Sequence, residues 1–138
     1  MNKAAKKFRI IFLFVSLIFF TGMAIAQPAN DECSGAIGIT AGTSCSYTTY
    51  TNTGATYSST TPLPGCASYT TAAADVWFKV IVPSTGALCF DTQTGNITNG
   101  GMAIYNGSCG ALNLIECDDN DSPNGSMPMI YKWGLTPG

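Results

Sequence analysis

Histidine is absent from this chain of 138 residues, and only 10% of the residues are charged. Without histidine there can be no Ser-His-Asp or Cys-His arrangement and no His-Glu-x-x-His zinc motif. No Gly-x-Ser-x-Gly elbow, Walker loop or dinucleotide-binding fingerprint occurs either. The sequence therefore predicts that this chain is not itself an enzyme.

Basic residues are scarce and unevenly placed. Four of the six lie within positions 3–9, an apolar run follows over 10–20, and Ala-Ile-Ala occupies 24–26. This order is typical of a secretory signal, and the run is shorter than the roughly 20 apolar residues that cross a bilayer. We predict a signal peptide over 1–26, cleaved near Ala26, and a secreted or cell-surface chain without a membrane span.

After residue 26 the chain has two basic residues, Lys79 and Lys132, against eight acidic ones, a net charge of −6. Proteins that bind nucleic acids gain most of their affinity from Lys and Arg contacts to phosphates. This charge balance excludes nucleic acid as a partner and favours small cations.

All six cysteines follow the predicted signal. An even number in an exported chain predicts a disulfide framework, and the absence of histidine and of a Cys-x-x-Cys pair argues against zinc. The six are Cys33, Cys45, Cys66, Cys89, Cys109 and Cys117.

Only one pairing is suggested by local spacing. The seven residues between Cys109 and Cys117 can fold back as a tight hairpin, so we predict that these two are bonded. The next pairing would join Cys45 to Cys66 across a polar loop. The two remaining cysteines, Cys33 and Cys89, are then either paired with each other or free.

Short apolar runs bounded by turn residues predict strands, and no stretch after the signal has a helical period. This pattern predicts an all-β, antiparallel β-sandwich, jelly-roll-like and disulfide-stabilised, as a single module over 27–138. The predicted strands are 75–83, 87–92 after a turn at 83–86, 102–105 before a turn at Asn106-Gly107, 112–117 and 129–135, with weaker ones at 36–40 and 47–51 and a loop over 57–71.

Residues 134–138, Gly-Leu-Thr-Pro-Gly, resemble a strand that enters a turn. A turn needs a second strand, and an unpaired sheet edge is prone to aggregation. We therefore expect a module truncated at its C-terminus, with the last strand or strands missing.

The densest acidic cluster is Asp118, Asp119 and Asp121, with Asn120 between them. Closely spaced oxygen ligands suit Ca²⁺, although the pattern is not an EF-hand, because Pro123 falls at a ligand position and no Glu closes the loop. The alternative is a solvated turn, in which Asp and Asn bond to nearby backbone groups. Both interpretations stay open.

Asp75 precedes an aromatic strand and is either a buried cap at the strand start or a catalytic carboxylate. A glycosidase needs a second carboxylate roughly 5–10 Å away. Asp91 and Glu116 are candidates, but their spacing selects neither.

Aromatic residues divide into two predicted groups. Those at alternating strand positions, Trp77, Tyr105, Tyr131 and Trp133, are predicted to lie in the core. Those in polar stretches are predicted to be exposed and are the better candidates for ligand recognition. They are Tyr47, Tyr50, Tyr57 and Tyr69.

Five segments together resemble a known family. They are Asn-Asp-Glu-Cys-Ser-Gly-Ala at 30–36, Asp-Val-Trp-Phe-Lys-Val at 75–80, Met-Ala-Ile-Tyr-Asn-Gly-Ser-Cys-Gly-Ala-Leu at 102–112, Ile-Glu-Cys-Asp-Asp at 115–119 and Gly-Leu-Thr-Pro-Gly at 134–138. Over residues 29–138 the chain resembles the secreted β-sandwich modules similar to bacterial pre-peptidase C-terminal domains. These modules occur in large exported proteins that use the type IX secretion route.

The resemblance implies an accessory module that is calcium-stabilised or binds matrix or carbohydrate. It also implies a second calcium candidate at Asn30, Asp31 and Glu32, for which the alternative is an exposed N-terminal tail. Fold likeness alone does not fix function.

The sequence thus favours a non-catalytic extracellular binding or adhesion module of a larger exported protein. Calcium is its candidate stabilising ion, and its partner is an extracellular polysaccharide or protein. The alternative is the N-terminal accessory domain of a secreted protease or glycosidase whose catalytic domain lies beyond residue 138. The gene sequence downstream of Gly138 distinguishes the two.

Overall fold

The computed structural model describes residues 26–66, 68 and 74–138, so the predicted signal peptide lies almost wholly outside the described residues. A 3-10 helix, Cys33–Gly35, precedes six strands. The strands are β1 (Ile37–Ile39), β2 (Phe78–Val80), β3 (Leu88–Asp91), β4 (Met102–Ser108), β5 (Ala111–Asp118) and β6 (Met129–Lys132). Within the described ranges, no helix is long and apolar enough to cross a membrane.

The strands form three pairs. β4 and β5 are an antiparallel hairpin, β3 pairs antiparallel with β6, and β1 pairs parallel with β2. The all-β class predicted from the short apolar runs is confirmed. Five of the predicted strands contain or overlap β2 to β6, and the weaker prediction at 36–40 contains β1.

The β4–β5 turn lies further along the chain than predicted. Asn106 and Gly107 belong to β4, where they pair with Asn113 and Leu112, so the predicted turn at these residues is wrong. The turn is formed instead by Cys109 and Gly110. Gly110 has a φ of 89°, the positive value that a type II turn needs at its second central residue and that glycine adopts without a steric penalty.

The turn at 83–86 is confirmed by a hydrogen bond of 2.9 Å from the backbone N–H of Gly86 to the carbonyl oxygen of Pro83. The strand that follows does not return along β2, however. β3 pairs with β6, some 40 residues later, because the two strands share a buried face that includes Leu88 and Ile130.

No strand forms over the predicted range 47–51, and residues 40–51 are exposed. This stretch consists mainly of Ser, Thr, Gly and Tyr, and it lacks an apolar face to bury.

Two disulfides connect distant parts of the chain, Cys33–Cys109 and Cys66–Cys117. The predicted Cys109–Cys117 bond is therefore wrong. The residues between these two cysteines form β5 rather than a hairpin of their own. Cys109 lies in the β4–β5 turn, and Cys117 pairs with Ala103 at the other end of the hairpin. At about 3.3 Å per residue, the two lie about 25 Å apart.

The predicted Cys45–Cys66 bond is also wrong, because Cys66 is bonded elsewhere and Cys45 is free. Cys89 is free as well. The two disulfides that form each join a segment N-terminal to β2 to the β4–β5 hairpin. The predicted disulfide stabilisation is confirmed, with a different connectivity.

The apolar core is small. Among the described residues, only three apolar side chains are buried: Leu88, Met127 and Ile130. Ile130 is 1% exposed and lies on the inner face of β6. A core of this size stabilises a domain weakly, so the disulfides carry an unusual share of the stability.

Candidate functional site

The acidic turn, residues 118–121, follows β5. One carboxylate oxygen of Asp118 accepts the backbone N–H groups of Asp121 at 3.0 Å and of Met129 at 2.9 Å. Burial would raise the pKa of Asp118. The backbone N–H groups of Asp121, Met129, Asp119 and Asn120 outweigh this effect and lower the pKa. Asp118 thus links the turn to the start of β6.

In the part of the chain that the structure describes, no three side chains among His, Cys, Asp and Glu are arranged to hold a metal ion. Calcium also accepts backbone and amide carbonyl oxygens as ligands. Calcium binding by Asp118, Asp119 and Asp121 therefore stays a prediction, and it would need carbonyl ligands to complete the site.

The second predicted calcium patch contains two residues that are built into the fold. Asn30 is 3% exposed and Asp31 is 5% exposed, so they do not form an exposed tail. The carboxylate of Asp31 accepts the backbone N–H of Thr56 at 2.5 Å and its hydroxyl at 2.9 Å. The Asn30 side-chain amide donates to the backbone carbonyl oxygen of Trp77 at 3.0 Å, and the backbone carbonyl of Asn30 accepts the backbone N–H of Trp77 at 2.8 Å.

Asp75 lies in the same polar network. Its carboxylate accepts the backbone N–H of Ser58 at 2.9 Å, and the Ser58 hydroxyl accepts the indole N–H of Trp77 at 2.8 Å. Ser58 is 3% exposed. These contacts fit the interpretation of Asp75 as a cap at the strand start. The two hydrogen bonds between Asn30 and Trp77 connect this network to the N-terminal segment.

The four tyrosines predicted to be exposed differ in their surroundings. Tyr47 is 49% exposed and Tyr50 is 44% exposed, as predicted, but the ring of Tyr50 packs edge-on against Phe78 at 4.7 Å between centroids. Tyr57 is half-buried. Tyr69 lies outside the described residues. Tyr47 is thus the predicted binding candidate with the freest ring.

Two of the aromatic residues predicted to lie in the core are on the surface. Tyr131 is 56% exposed and Trp133 is 70% exposed, and their ring centroids are 5.7 Å apart. The core prediction is wrong for this pair because β6 has one inner face, which Ile130 and Lys132 occupy. The core prediction is nearer to the structure for Trp77 and Tyr105, which are half-buried and whose ring centroids are 5.8 Å apart.

A shallow pocket of about 290 Å³ lies beside the exposed pair, lined by Glu116, Tyr131, Lys132 and Trp133. The Lys132 ammonium bonds to the Glu116 carboxylate at 2.7 Å. Glu116, a candidate catalytic partner for Asp75 on sequence grounds, is therefore engaged in an ion pair. The strict alternation along β6 was the signal that could have identified the exposed pair.

A polar cluster lies on the same face of the β3–β6 sheet as Tyr131. The Asp91 carboxylate accepts the Tyr47 hydroxyl at 2.5 Å and the Ser122 hydroxyl at 2.7 Å. The Asn124 amide donates to the Tyr47 hydroxyl at 3.1 Å. In the β3–β6 register Cys89 lies opposite Tyr131. Asp91 is therefore the diagonal neighbour of Tyr131, with about 7–8 Å between the two residues.

Hydrogen bonding sets the pKa of both partners in this cluster. Burial would raise the pKa of Asp91, but hydrogen bonds from Tyr47, Ser122, Thr92 and Asn124 lower it. The bond to Asp91 raises the pKa of Tyr47. The carboxylate is therefore ionised and the phenol protonated across the neutral range.

We expect the stability of the chain to fall at both ends of the pH scale. A lowered folded-state pKa for Asp91 gives stability that is present above the unfolded value of about 3.9 and is lost as the pH falls through the folded value. A raised pKa for Tyr47 gives stability that is lost as the pH rises above about 10. Thermal melts from pH 2 to 11 measure both limits.

Asp91→Asn should weaken the acid dependence, and Tyr47→Phe the alkaline dependence. If either variant keeps the full wild-type pH profile, this hydrogen bond does not contribute to stability.

Comparison with curated proteins and with solved structures gives no significant match. A family model described as galactose binding domain-like, and associated with the type IX secretion system, matches residues 29–128. The match confirms the predicted β-sandwich and the type IX association, which implies an exported or cell-surface protein. The pre-peptidase C-terminal type stays a prediction. Domains of the matched kind are typically non-catalytic binding modules. The chain belongs to the galactose-binding-domain-like family associated with type IX secretion.

Proposed function

We propose that this chain is a non-catalytic carbohydrate-binding module of an exported protein, and that it binds through the outer face of the β3–β6 sheet. The observation that carries the proposal is the pair of adjacent exposed rings, Tyr131 and Trp133. Adjacent exposed rings offer an apolar stacking surface, and aromatic residues are enriched at surfaces where partners bind.

The groups around the rings suit a sugar, which has an apolar C–H face and a polar rim. A pyranose stacked on Tyr131 would place its hydroxyls within reach of Asp91, at the diagonal position. The carboxylate accepts hydrogen bonds from hydroxyls, and the Asn124 amide both donates and accepts them. The Glu116–Lys132 ion pair lines the same shallow pocket as the two rings.

The same proposal includes three further points. The chain is exported after cleavage near Ala26, calcium stabilises it, and its partner is a polysaccharide rather than a protein. The residues at 1–26 support the first of these, and the charge of −6 on the remaining chain supports the second.

Trp133→Ala is expected to weaken carbohydrate binding at least about tenfold, because a central aromatic residue supplies much of the binding energy in such sites. Stability should change by less than about 0.5 kcal/mol, since the side chain is largely exposed. Affinity electrophoresis in gels that contain galactan, together with titration with galactose, measures the loss.

Ile81→Ala is the matched control. Ile81 is apolar and 76% exposed but does not line the pocket beside the rings, so this variant should bind as the wild type does. The proposal is wrong if the wild type binds neither probe. It is also wrong if Trp133→Ala and Ile81→Ala bind alike.

A further inference from the structure

Two cysteines take no part in the disulfides that the structure forms. Cys45 and Cys89 are both free and both exposed. Cys89 lies on β3, on the outer face that also holds Asp91 and, in the paired strand, Tyr131. Cys45 lies in the exposed segment 40–51, which has no regular secondary structure.

The Tyr47–Asp91 hydrogen bond fixes where this segment meets β3. Tyr47 follows Cys45 by two residues, and Asp91 follows Cys89 by two residues. Where two extended stretches run in the same direction, residues at equal offsets from a contact face each other, and side chains two residues apart share a face. A parallel course of the segment 40–51 along β3, anchored by the contact of 2.5 Å between Tyr47 and Asp91, therefore places Cys45 alongside Cys89.

The electrostatics agree with this placement. The pKa of Cys89 is raised by burial and, next, by the negative charge of the Cys45 thiolate. The same charge also raises the pKa of Tyr47. These directions agree with a parallel course, because an antiparallel course would carry Cys45 away from Cys89 and weaken the effect of its charge.

We propose that Cys45 and Cys89 form a third disulfide in the exported protein, which attaches the segment 40–51 to β3. This inference does not depend on the proposed carbohydrate binding. The bond would hold Tyr47 against Asp91 and thereby order the polar cluster on the outer face.

The reaction needs an oxidant, which we assign to the class of exported thiol–disulfide oxidoreductases. The Cys45 thiolate attacks the disulfide of the oxidant and forms a mixed disulfide, and one oxidant thiolate leaves. The Cys89 thiolate then attacks the Cys45 sulfur, and the second oxidant thiolate leaves. The two protons lost by the cysteines end on the two oxidant thiols, which have accepted the two electrons.

The test is peptide mapping of the full chain after export to an oxidising compartment. The protein is alkylated in denaturant without reduction and digested with thermolysin, which cleaves before apolar residues. At least one such residue separates every two consecutive cysteines. We expect no alkylated cysteine and a peptide that joins Cys45 to Cys89. Alkylation at both residues, or a bond from Cys45 to any other cysteine, would overturn the proposal.

Cys45→Ser supplies the second measurement. It should expose one reactive thiol per chain, located at Cys89, while the peptides that contain Cys33–Cys109 and Cys66–Cys117 stay unchanged. Non-reducing electrophoresis of the wild type should show a monomer. A disulfide-linked dimer through Cys45 would also overturn the proposal.

Discussion

Replacing Cys33 and Cys109 together by serine is expected to lower the free energy of unfolding by about 4 kcal/mol. The two cysteines are 76 residues apart in sequence, so their bond removes much of the freedom of the unfolded chain. For a module of this size, the loss corresponds to a fall in Tm of roughly 15 °C. Urea and thermal unfolding of the oxidised protein, followed by circular dichroism, measure both quantities.

The small core is the reason that this loss should be severe. Only Leu88, Met127 and Ile130 are buried apolar residues in the described part of the chain. A typical domain has about 5–15 kcal/mol of total stability, so removing one disulfide takes away a large fraction.

The second disulfide provides an internal comparison. Cys66 and Cys117 are 51 residues apart, and loop entropy depends on the logarithm of that number. Its removal should cost only about 0.4 kcal/mol less than removal of the first. A loss below about 1 kcal/mol for either double variant would contradict the entropic argument.

Trypsin tests the connectivity directly. After the predicted signal, the chain has basic residues only at Lys79 and Lys132. Both observed disulfides cross Lys79, whereas the two bonds predicted from the sequence, Cys109–Cys117 and Cys45–Cys66, do not. After cleavage without reduction, the parts on either side of Lys79 should therefore stay joined, even when Cys45 and Cys89 are both replaced by serine. Only residues 133–138, which contain no cysteine, should be released. Separation of the fragments at 79 before reduction would show that the connectivity is wrong.

The strands were predictable because each is marked by a run of residues that are neighbours in the sequence. The run around Phe78–Val80 is β-branched and aromatic and stops at Pro83, and the segment after Cys109 combines a glycine turn with alternating apolar residues. Such features depend only on neighbouring residues.

The pairing of strands and cysteines was not predictable, because it depends on contacts between distant residues. β3 pairs with β6 rather than with its neighbour in sequence, and Cys33 meets Cys109 only after the hairpin has placed its turn beside the N-terminal segment. The short gap between Cys109 and Cys117 was misleading. An eight-residue separation fits a hairpin and a single strand equally well, and only the position of the turn decides between them.

The candidate site was only partly predictable. Tyr47 was selected because it lies in a polar stretch, and it does reach the outer face of the β3–β6 sheet. For Tyr131 and Trp133 the residue type predicts the core, because large aromatic residues usually lie there. Alternation along β6 places Ile130 inward and this pair outward, and residue type alone does not specify which of the two sets is buried.

Asp31→Ala is expected to lower the free energy of unfolding strongly, and it tests whether the Asp31 carboxylate stabilises the fold through Thr56. Asp31 is 5% exposed, and its two oxygens accept the N–H and the hydroxyl of Thr56 at 2.5 and 2.9 Å. Hydrogen bonds to a charged group contribute about 1.5–3 kcal/mol each. We expect a loss of about 3 kcal/mol and a fall in Tm of roughly 12 °C.

Two further variants separate this structural role from calcium binding. Asp31→Asn keeps an acceptor for the Thr56 N–H and should cost about 1 kcal/mol. Glu32→Ala changes an exposed neighbour and should have an effect within about 0.5 kcal/mol. If Asp31→Ala melts at the same temperature as Glu32→Ala, the contacts with Thr56 contribute no stability.

The same melts, repeated in millimolar calcium and in EDTA, locate any bound ion. A site with a Kd of about 10⁻⁴ M would add about 1.4 kcal/mol at millimolar calcium, or roughly 5 °C in Tm. Because both oxygens of Asp31 already accept hydrogen bonds from Thr56, Asp31→Asn should respond to calcium as the wild type does. Asp119→Asn should lose the response if the acidic turn binds the ion. A response that Asp31→Asn abolishes would instead place calcium at the N-terminal segment and contradict the structural role of Asp31.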